Sequence, residues 1–445
     1  MNETNDERPT TNDQRRTTND ERPMTLTERD EKVLNGDFGT APKMAMNILV
    51  QLGEVLGADE LLDIEQVHVD GCIYESEAHL DFAEKLASLE ARVIVPTTLN
   101  ATSLDMRHPD AWGYSAQWKS QARRIANAYL AMGCTPTWTC APYQTEFVPK
   151  FGQQIAWAES NAIVFANSVI GARTNRYGDF TDICAAITGR VPKYGLHLAE
   201  NRRGQILFEL KNIPDALLDD DAFFPVLGHY LGKRAGDKIP VLLGLPHNTT
   251  QDALKALGAG AASSGGVAMF HAVGITPEAK TLQDAFGGST YERVEITLSD
   301  LNAARAELSS ADGSQLDAVV LGSPHFSLQE SLRLAELIHG QKVHSSVEFI
   351  VTTNRIVREA LRARGVLQTL TGAGVRLCED TCILLSPMLR SEIRVLMTNS
   401  AKYAYYAPNL IDRRVVFGSL RDCVASAVQG RVVREEELWR VPGDE

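Results

Sequence analysis

Short apolar runs alternate with amphipathic stretches along most of this chain, and a polar cluster follows each run. At the start, Thr40 reads as a helix N-cap, Pro42 sits in the first turn and Gly57 stops the helix. Residues 61–69 read as a strand, 78–89 as a helix and 91–95 as a second strand closed by Pro96. The rhythm resumes with strands at 239–243, 267–273, 318–321 and 347–351, interleaved with helices at 251–257, 328–338 and 355–364. This pattern predicts an α/β fold with parallel sheets. In such sheets ligands bind beyond the carboxyl ends of the strands. The clusters Asp-Gly-Cys (70–72), Pro-Thr-Thr-Leu-Asn (96–100), Thr-Cys-Ala-Pro-Tyr (139–143), Gly-Ser-Pro-His (322–325) and Asp-Thr-Cys (380–382) all follow apolar runs. They are expected to share one site.

Residues 140–200 are the least core-like part of the chain. Glu159, Ser160 and Asn161 interrupt an apolar helix, Asn167 and Ser168 follow, and then come Arg173 and Arg176. Buried polar groups cost free energy unless something satisfies them. A polar substrate and a metal centre would do so. The net charge of −13 argues against general affinity for nucleic acid or an anionic membrane. No apolar run is long enough to span a bilayer, and no signal-peptide core is present. Seven cysteines without a short-range framework fit a reducing cytoplasm rather than a disulfide scaffold. Residues 1–23 repeat one polar heptad with no apolar seam and are expected to be disordered. Residues 24–445 are expected to form the globular part, in two or three α/β subdomains.

Cys184, Cys423 and Cys134 sit among apolar residues and read as small core hydrophobes. The spacing of Cys378 and Cys382 is weak for zinc, where two intervening residues recur. Cys140 and Cys382 each lie in a loop after a strand and remain candidates for iron–sulfur ligation. His197, His271 and His325 are candidate acid–base groups, and Arg173 with Arg176 a candidate carboxylate clamp. The glycine-rich 258–266 segment lacks the preceding strand that a phosphate loop needs.

Taken together, G-D-F-G-T-A-P-K-M-A-M, H-V-D-G-C-I-Y, V-P-T-T-L-N, W-T-C-A-P-Y, F-A-N-S-V-I-G-A-R-T-N-R-Y-G-D-F, G-S-P-H-F-S, E-D-T-C and N-S-A-K-Y-A-Y-Y-A-P resemble the aconitase X family, from about residue 34 to 428. The resemblance implies an aconitase-like large domain, built of parallel α/β subdomains around a central cleft. It implies a hydro-lyase that uses an iron–sulfur cluster, [2Fe-2S] or [4Fe-4S], as Lewis acid. Bacterial members act on cis-3-hydroxy-L-proline, giving Δ1-pyrroline-2-carboxylate, and archaeal members on mevalonate 5-phosphate. Position by position, it places Cys140 and Cys382 on the cluster. The third ligand position falls on Ser323, where many relatives carry cysteine, so either the cluster differs in type or Cys72 supplies the third sulfur. It places Gly71, Asn100, Glu159 and Ser160 against the substrate, with Lys402 facing the same site, and Glu159, Ser160 and Lys402 are the expected catalytic residues. Arg173, Arg176 or Lys402 would hold the substrate carboxylate, and His197 is counted with the binding set.

Dehydration also needs a base for the Cα proton. In aconitase-type enzymes a serine on a small swivelling domain serves, and its glycine–serine loop has no counterpart in this sequence. A separate small subunit and the reaction on cis-3-hydroxy-L-proline are therefore expected, with a phosphomevalonate dehydratase large subunit or an inactive cluster-binding scaffold as the alternatives.

Overall fold

The computed structural model describes residues 24–441; the polar heptads of 1–23 lie outside them. Three parallel sheets carry the chain. The first orders Thr97–Leu99, Val67–Val69 and Ala156–Trp157 side by side. The second orders His271–Ala272, Pro240–Leu243, Ile206–Leu210 and Glu292–Ile296. The third has five strands: Val375–Glu379, Glu348–Thr353, Ala318–Phe326, Val395–Thr398 and Arg414–Phe417. Helices intervene between most strands, as the alternation predicts. The third sheet has its own apolar core, built on Phe349, Leu334 and Leu361. A larger core joins the first and second sheets and takes in Val320, Ile350 and Leu396 of the third.

Several boundaries differ from the sequence reading. The run 61–69 is two strands: Leu61–Asp63 pairs antiparallel with Arg190–Pro192, and only Val67–Val69 enters the parallel sheet. Residues 91–95 form no ladder, because Val93 and Ile94 donate to the carbonyls of Met132 and Ala186. The strand begins beyond Pro96, at Thr97. Gly39, rather than Thr40, precedes the first turn of Thr40–Leu56.

The helix expected at 251–257 runs on as Gln251–Ser264, through the glycine-rich segment. Glycine here is a packing device. A Cβ on Gly228 would lie 2.2 Å from the Leu257 carbonyl oxygen, so Phe223–Ala235 and Gln251–Ser264 cross nearly backbone to backbone. Gly228→Val is expected to cost at least about 1–3 kcal/mol through overpacking. Urea unfolding checks this, and an unchanged midpoint would show that the crossing relaxes freely.

Arg202 joins two parts of the chain and is 2% exposed. It donates to the carbonyls of Asn167 (2.9 Å), Ala172 (3.1 Å) and Leu196 (3.0 Å), and to Glu278. Its guanidinium also meets the Asn167 side chain at 3.0 Å. Asn167 and Ser168 lie in a π-helical turn, Ala166–Ile170. Asn167 donates to Thr174 and Ala268, and Ser168 accepts from the Phe270 amide. These two residues therefore satisfy each other's neighbours across the first and second sheets and do not await a ligand.

Candidate active site where two sheets meet

The expected clusters gather at two sheets joined by a bridge, but not all follow strands: 96–100 contains the strand Thr97–Leu99, and 322–325 lies inside Ala318–Phe326. In the first sheet, Val67–Val69 ends at Asp70 and Gly71, Thr97–Leu99 at Asn100, and Ala156–Trp157 at Glu159. Beside them, Thr135 bridges to Thr98, and that segment ends at Cys140. In the third sheet, Val375–Glu379 ends at Cys382, and Val395–Thr398 leads into the helix that carries Lys402. A β-bridge between Thr102 and Thr381 joins the two sets. Across it the Thr102 amide donates to Asp380 O at 2.5 Å, and the Cys382 amide to Thr102 O at 2.8 Å.

Glu159 is the hub. Lys402 Nζ lies 2.5 Å from its Oε1 and 3.2 Å from Ser160 Oγ. Ser160 Oγ, the Asn161 amide and Asn161 Nδ2 also donate to Oε1, and Asn100 Nδ2 donates to Oε2 at 3.2 Å. Burial pushes this carboxyl up, yet the Lys402 charge and these donors outweigh it and hold it at about 2. Burial likewise opposes the charge on Lys402, but Glu159, Cys140 and Cys382 raise its proton affinity above the ordinary range. Asn161 also donates to the Cys140 carbonyl at 3.0 Å, tying the cysteine loop to the hub.

Cys140 Sγ accepts the His325 amide at 3.2 Å. Burial pushes the Cys140 thiol up to about 12 and the Cys382 thiol to about 11, while Lys402 pulls both back. A left-handed residue stands two positions before each cysteine: Trp138 with φ 46° and Asp380 with φ 63°. Arg355 holds the Asp380 carboxylate through bonds of 2.8 and 2.6 Å. Ser323 lies in a bulge where the ladder of Ala318–Phe326 shifts register. Gly322 makes the bulge possible: its φ is +97°, and a Cβ there would meet Thr352 O at 2.1 Å. The Ser323 carbonyl accepts from Ser400 Oγ. A cavity of about 450 Å³ adjoins at Ser323, Ser400 and Ala401.

Other expected residues stand elsewhere. Cys72 is fully buried, with its thiol toward the carbonyls of Val69 and Asn100. Burial, then Asp70, Asp182, Cys134 and Asp179, push this thiol up. It packs in the core as Cys184 does. Arg173 pairs with Gln154, before the strand Ala156–Trp157, and donates to His197 O at 3.3 Å, whereas Glu159 follows that strand. Arg176 donates to the carbonyls of Ala262 and Gly265 at the end of a helix. His197 has both ring nitrogens occupied, by Tyr177 at 2.5 Å and Gln154 at 2.6 Å. Burial, with Arg202 and Arg173, lowers its basicity to about 3. These three residues build a structural corner, not a clamp. Gly71 does sit at the site, its amide 3.3 Å from Asp182 Oδ2.

His325 is a staple rather than an acid–base group. Its Nε2 donates to Thr381 O at 2.9 Å and its Nδ1 accepts from Thr139 Oγ1 at 3.2 Å, so it binds both cysteine loops. Burial holds it neutral, at about 4. His271 Nε2 is likewise engaged, by Arg202 O at 2.7 Å.

Asp70 is the site residue that the sequence reading passed over. It is partly buried, and Asn100 Nδ2 donates to its Oδ1. Burial first, then Glu159 and Asp179, raise its proton affinity well above the usual carboxylate range. Its position next to Gly71, at the end of an apolar strand, was the available signal.

Family models for the aconitase X first, second and third domains match residues 23–200, 204–306 and 316–429. The chain is 46% identical over 414 residues to cis-3-hydroxy-L-proline dehydratase of Pseudomonas aeruginosa, spanning 92% of this chain and 71% of that protein. It is 44% identical over 407 residues to the enzyme of the same name from Hypocrea jecorina, spanning 90% and 68%. Against the phosphomevalonate dehydratase large subunit of Methanothermobacter thermautotrophicus, identity is 36% over 390 residues, spanning 87% and 95%. The crystal structure of Thermococcus kodakaraensis aconitase X in its holo form superposes with a TM-score of 0.82 at 33% identity, over 91% of this chain and all of that one. Three consecutive domain matches, these relatives and this superposition agree: the chain belongs to the aconitase X family of hydro-lyases.

Proposed function

We propose that the chain dehydrates cis-3-hydroxy-L-proline to Δ1-pyrroline-2-carboxylate, with a separate small swivelling subunit completing the site. The observation that carries this reading is the Glu159–Lys402 pair, set beside Asn100, Cys140 and Cys382 where two sheets meet. The two relatives of 44% identity or more bear that enzyme's name.

The donor set suits an iron–sulfur cluster at Cys140 and Cys382. The amide on Cys140 Sγ and the nearby Lys402 charge favour thiolates. Ser323, two residues before His325, offers a harder oxygen in the third position. Among the described residues no group of three or more His, Cys, Asp or Glu gathers as a metal site, in keeping with Cys72 being turned into the core. When bound, such a cluster supplies Lewis acidity to a departing hydroxyl.

The chain's own residues do the rest. Among the described residues, Lys402 is the cation paired with Glu159, and it is suited to receive a substrate carboxylate. Glu159 holds Lys402 in place, and its own oxygens are taken up by donors, so it is ill suited to serve as the base. A base brought by the small subunit fits this arrangement. With Arg173 and Arg176 engaged elsewhere, the hub lacks the dense cationic lining that a phosphorylated substrate requires. That favours the amino acid over mevalonate 5-phosphate.

The test is anaerobic reconstitution with iron and sulfide, followed by turnover assays with and without a co-expressed small-domain polypeptide. Hydroxyproline dehydration is expected only with both components. Equal turnover of mevalonate 5-phosphate would overturn the substrate, and full activity of the chain alone would place the base within it. Cys140→Ala is expected to lose iron, and Cys72→Ala to retain it.

A further inference from the structure

Two carboxylates meet the Asn100 amide, and their charges are answered differently. Glu159 is neutralised by Lys402. Asp70 has no ion-pair partner among the described residues, and its side chain is bonded to Asn100 alone. Its surroundings add negative charge: Asp182 accepts the Asp70 amide at 2.7 Å, and Asp179 stands near, its own ion pair being with His79 at 3.3 Å. A partly buried carboxylate facing other carboxylates is costly unless a cation joins it. The cation whose charge reaches Asp70, Lys402, is bonded to Glu159, so Asp70 either keeps a proton or takes a cation from a ligand.

We propose that Asp70 is the specificity-determining residue that receives the ring ammonium of the substrate, while Lys402 receives its carboxylate. This rests on the reading of the site as one for a cyclic amino acid. The amino and carboxylate groups of such a substrate share one carbon, and Asn100, bonded to both Asp70 and Glu159, sets the two receiving groups side by side. A phosphorylated hydroxy acid has no ammonium to offer and would bring further negative charge against Asp70.

The experiment compares L-proline with oxolane-2-carboxylate, in which oxygen replaces the ring nitrogen. Calorimetry on the cluster-loaded chain with its small subunit measures binding without turnover. The wild type is expected to prefer proline by roughly tenfold to a hundredfold, the range for a hydrogen bond to a charged group. Asp70→Asn is expected to erase that preference. It should also raise KM for cis-3-hydroxy-L-proline far more than it lowers kcat, with iron content unchanged. Asp70→Glu should restore part of the preference. A preference that survives in Asp70→Asn, while the wild type dehydrates hydroxyproline, overturns this inference alone. A wild type that neither binds proline nor dehydrates hydroxyproline overturns the proposed function, and this inference with it.

Discussion

Lys402→Met is expected to destabilise the fold by about 3–5 kcal/mol at neutral pH, as removal of one partner from a buried pair does. Glu159 is 6% exposed and would be left charged with only the neutral donors of Ser160, Asn161 and Asn100. The pH dependence separates this cause from lost packing. In the native protein the Glu159 carboxyl sits at about 2, below its ordinary 4.5. Its contribution is therefore fully present above about pH 4.5 and is lost as pH falls toward 2. In the methionine variant burial acts without Lys402 and pushes that carboxyl up. Glu159 then destabilises the fold above its ordinary value, and the deficit should shrink as pH falls from 7 toward 4. Urea unfolding at both pH values gives the answer, and a deficit that ignores pH would mean the lysine acts through its methylenes. The double variant Glu159→Leu with Lys402→Met should recover much of the stability while remaining inactive.

Arg202→Leu is expected to cost at least as much. It breaks the ion pair with Glu278 and leaves the carbonyls of Asn167, Ala172 and Leu196 without their donor. Each buried group left unsatisfied costs about 1–3 kcal/mol. Arg202 lies in the short segment between the first and second domain matches, so loosening should appear there first. Limited proteolysis near residues 199–204 at low protease is the measurement. Arg202→Lys should rescue little, because a single ammonium cannot span three carbonyls and a carboxylate. Wild-type resistance in Arg202→Leu would show that the second and first sheets are held by their shared core alone.

The period of the chain revealed the fold class and the loops that carry the site, because strand–loop–helix grammar is local. It did not reveal which polar residues face inward. Glu159 and Arg173 are fourteen residues apart and equally polar, yet the strand Ala156–Trp157 sends them to opposite ends. Asn167 and Ser168 looked ligand-like because their partners, Arg202 and the Phe270 amide, come from remote segments. Cys72 looked like a cluster ligand from its loop, but ligation depends on side-chain direction, and its thiol turns back toward Val69 and Asn100. His197 and His325 were ambiguous for the same reason: loop position is visible in the sequence, but saturation of both ring nitrogens is not.

The bridge between Thr102 and Thr381 has an evolutionary consequence. One backbone pairing sets the depth at which the Cys382 loop meets the loop that follows Asn100. An inserted residue near position 101 would slide one set of loops past the other by about 3.3 Å, a full strand step, and reverse which side chains point inward. A side-chain exchange that keeps the backbone, such as serine for cysteine at position 323, leaves the frame untouched. Length cannot be explored in the same way. Descendants of this chain should therefore vary their chemistry by exchanging residues at fixed loop lengths, and gain or lose residues only where the two sheets do not touch.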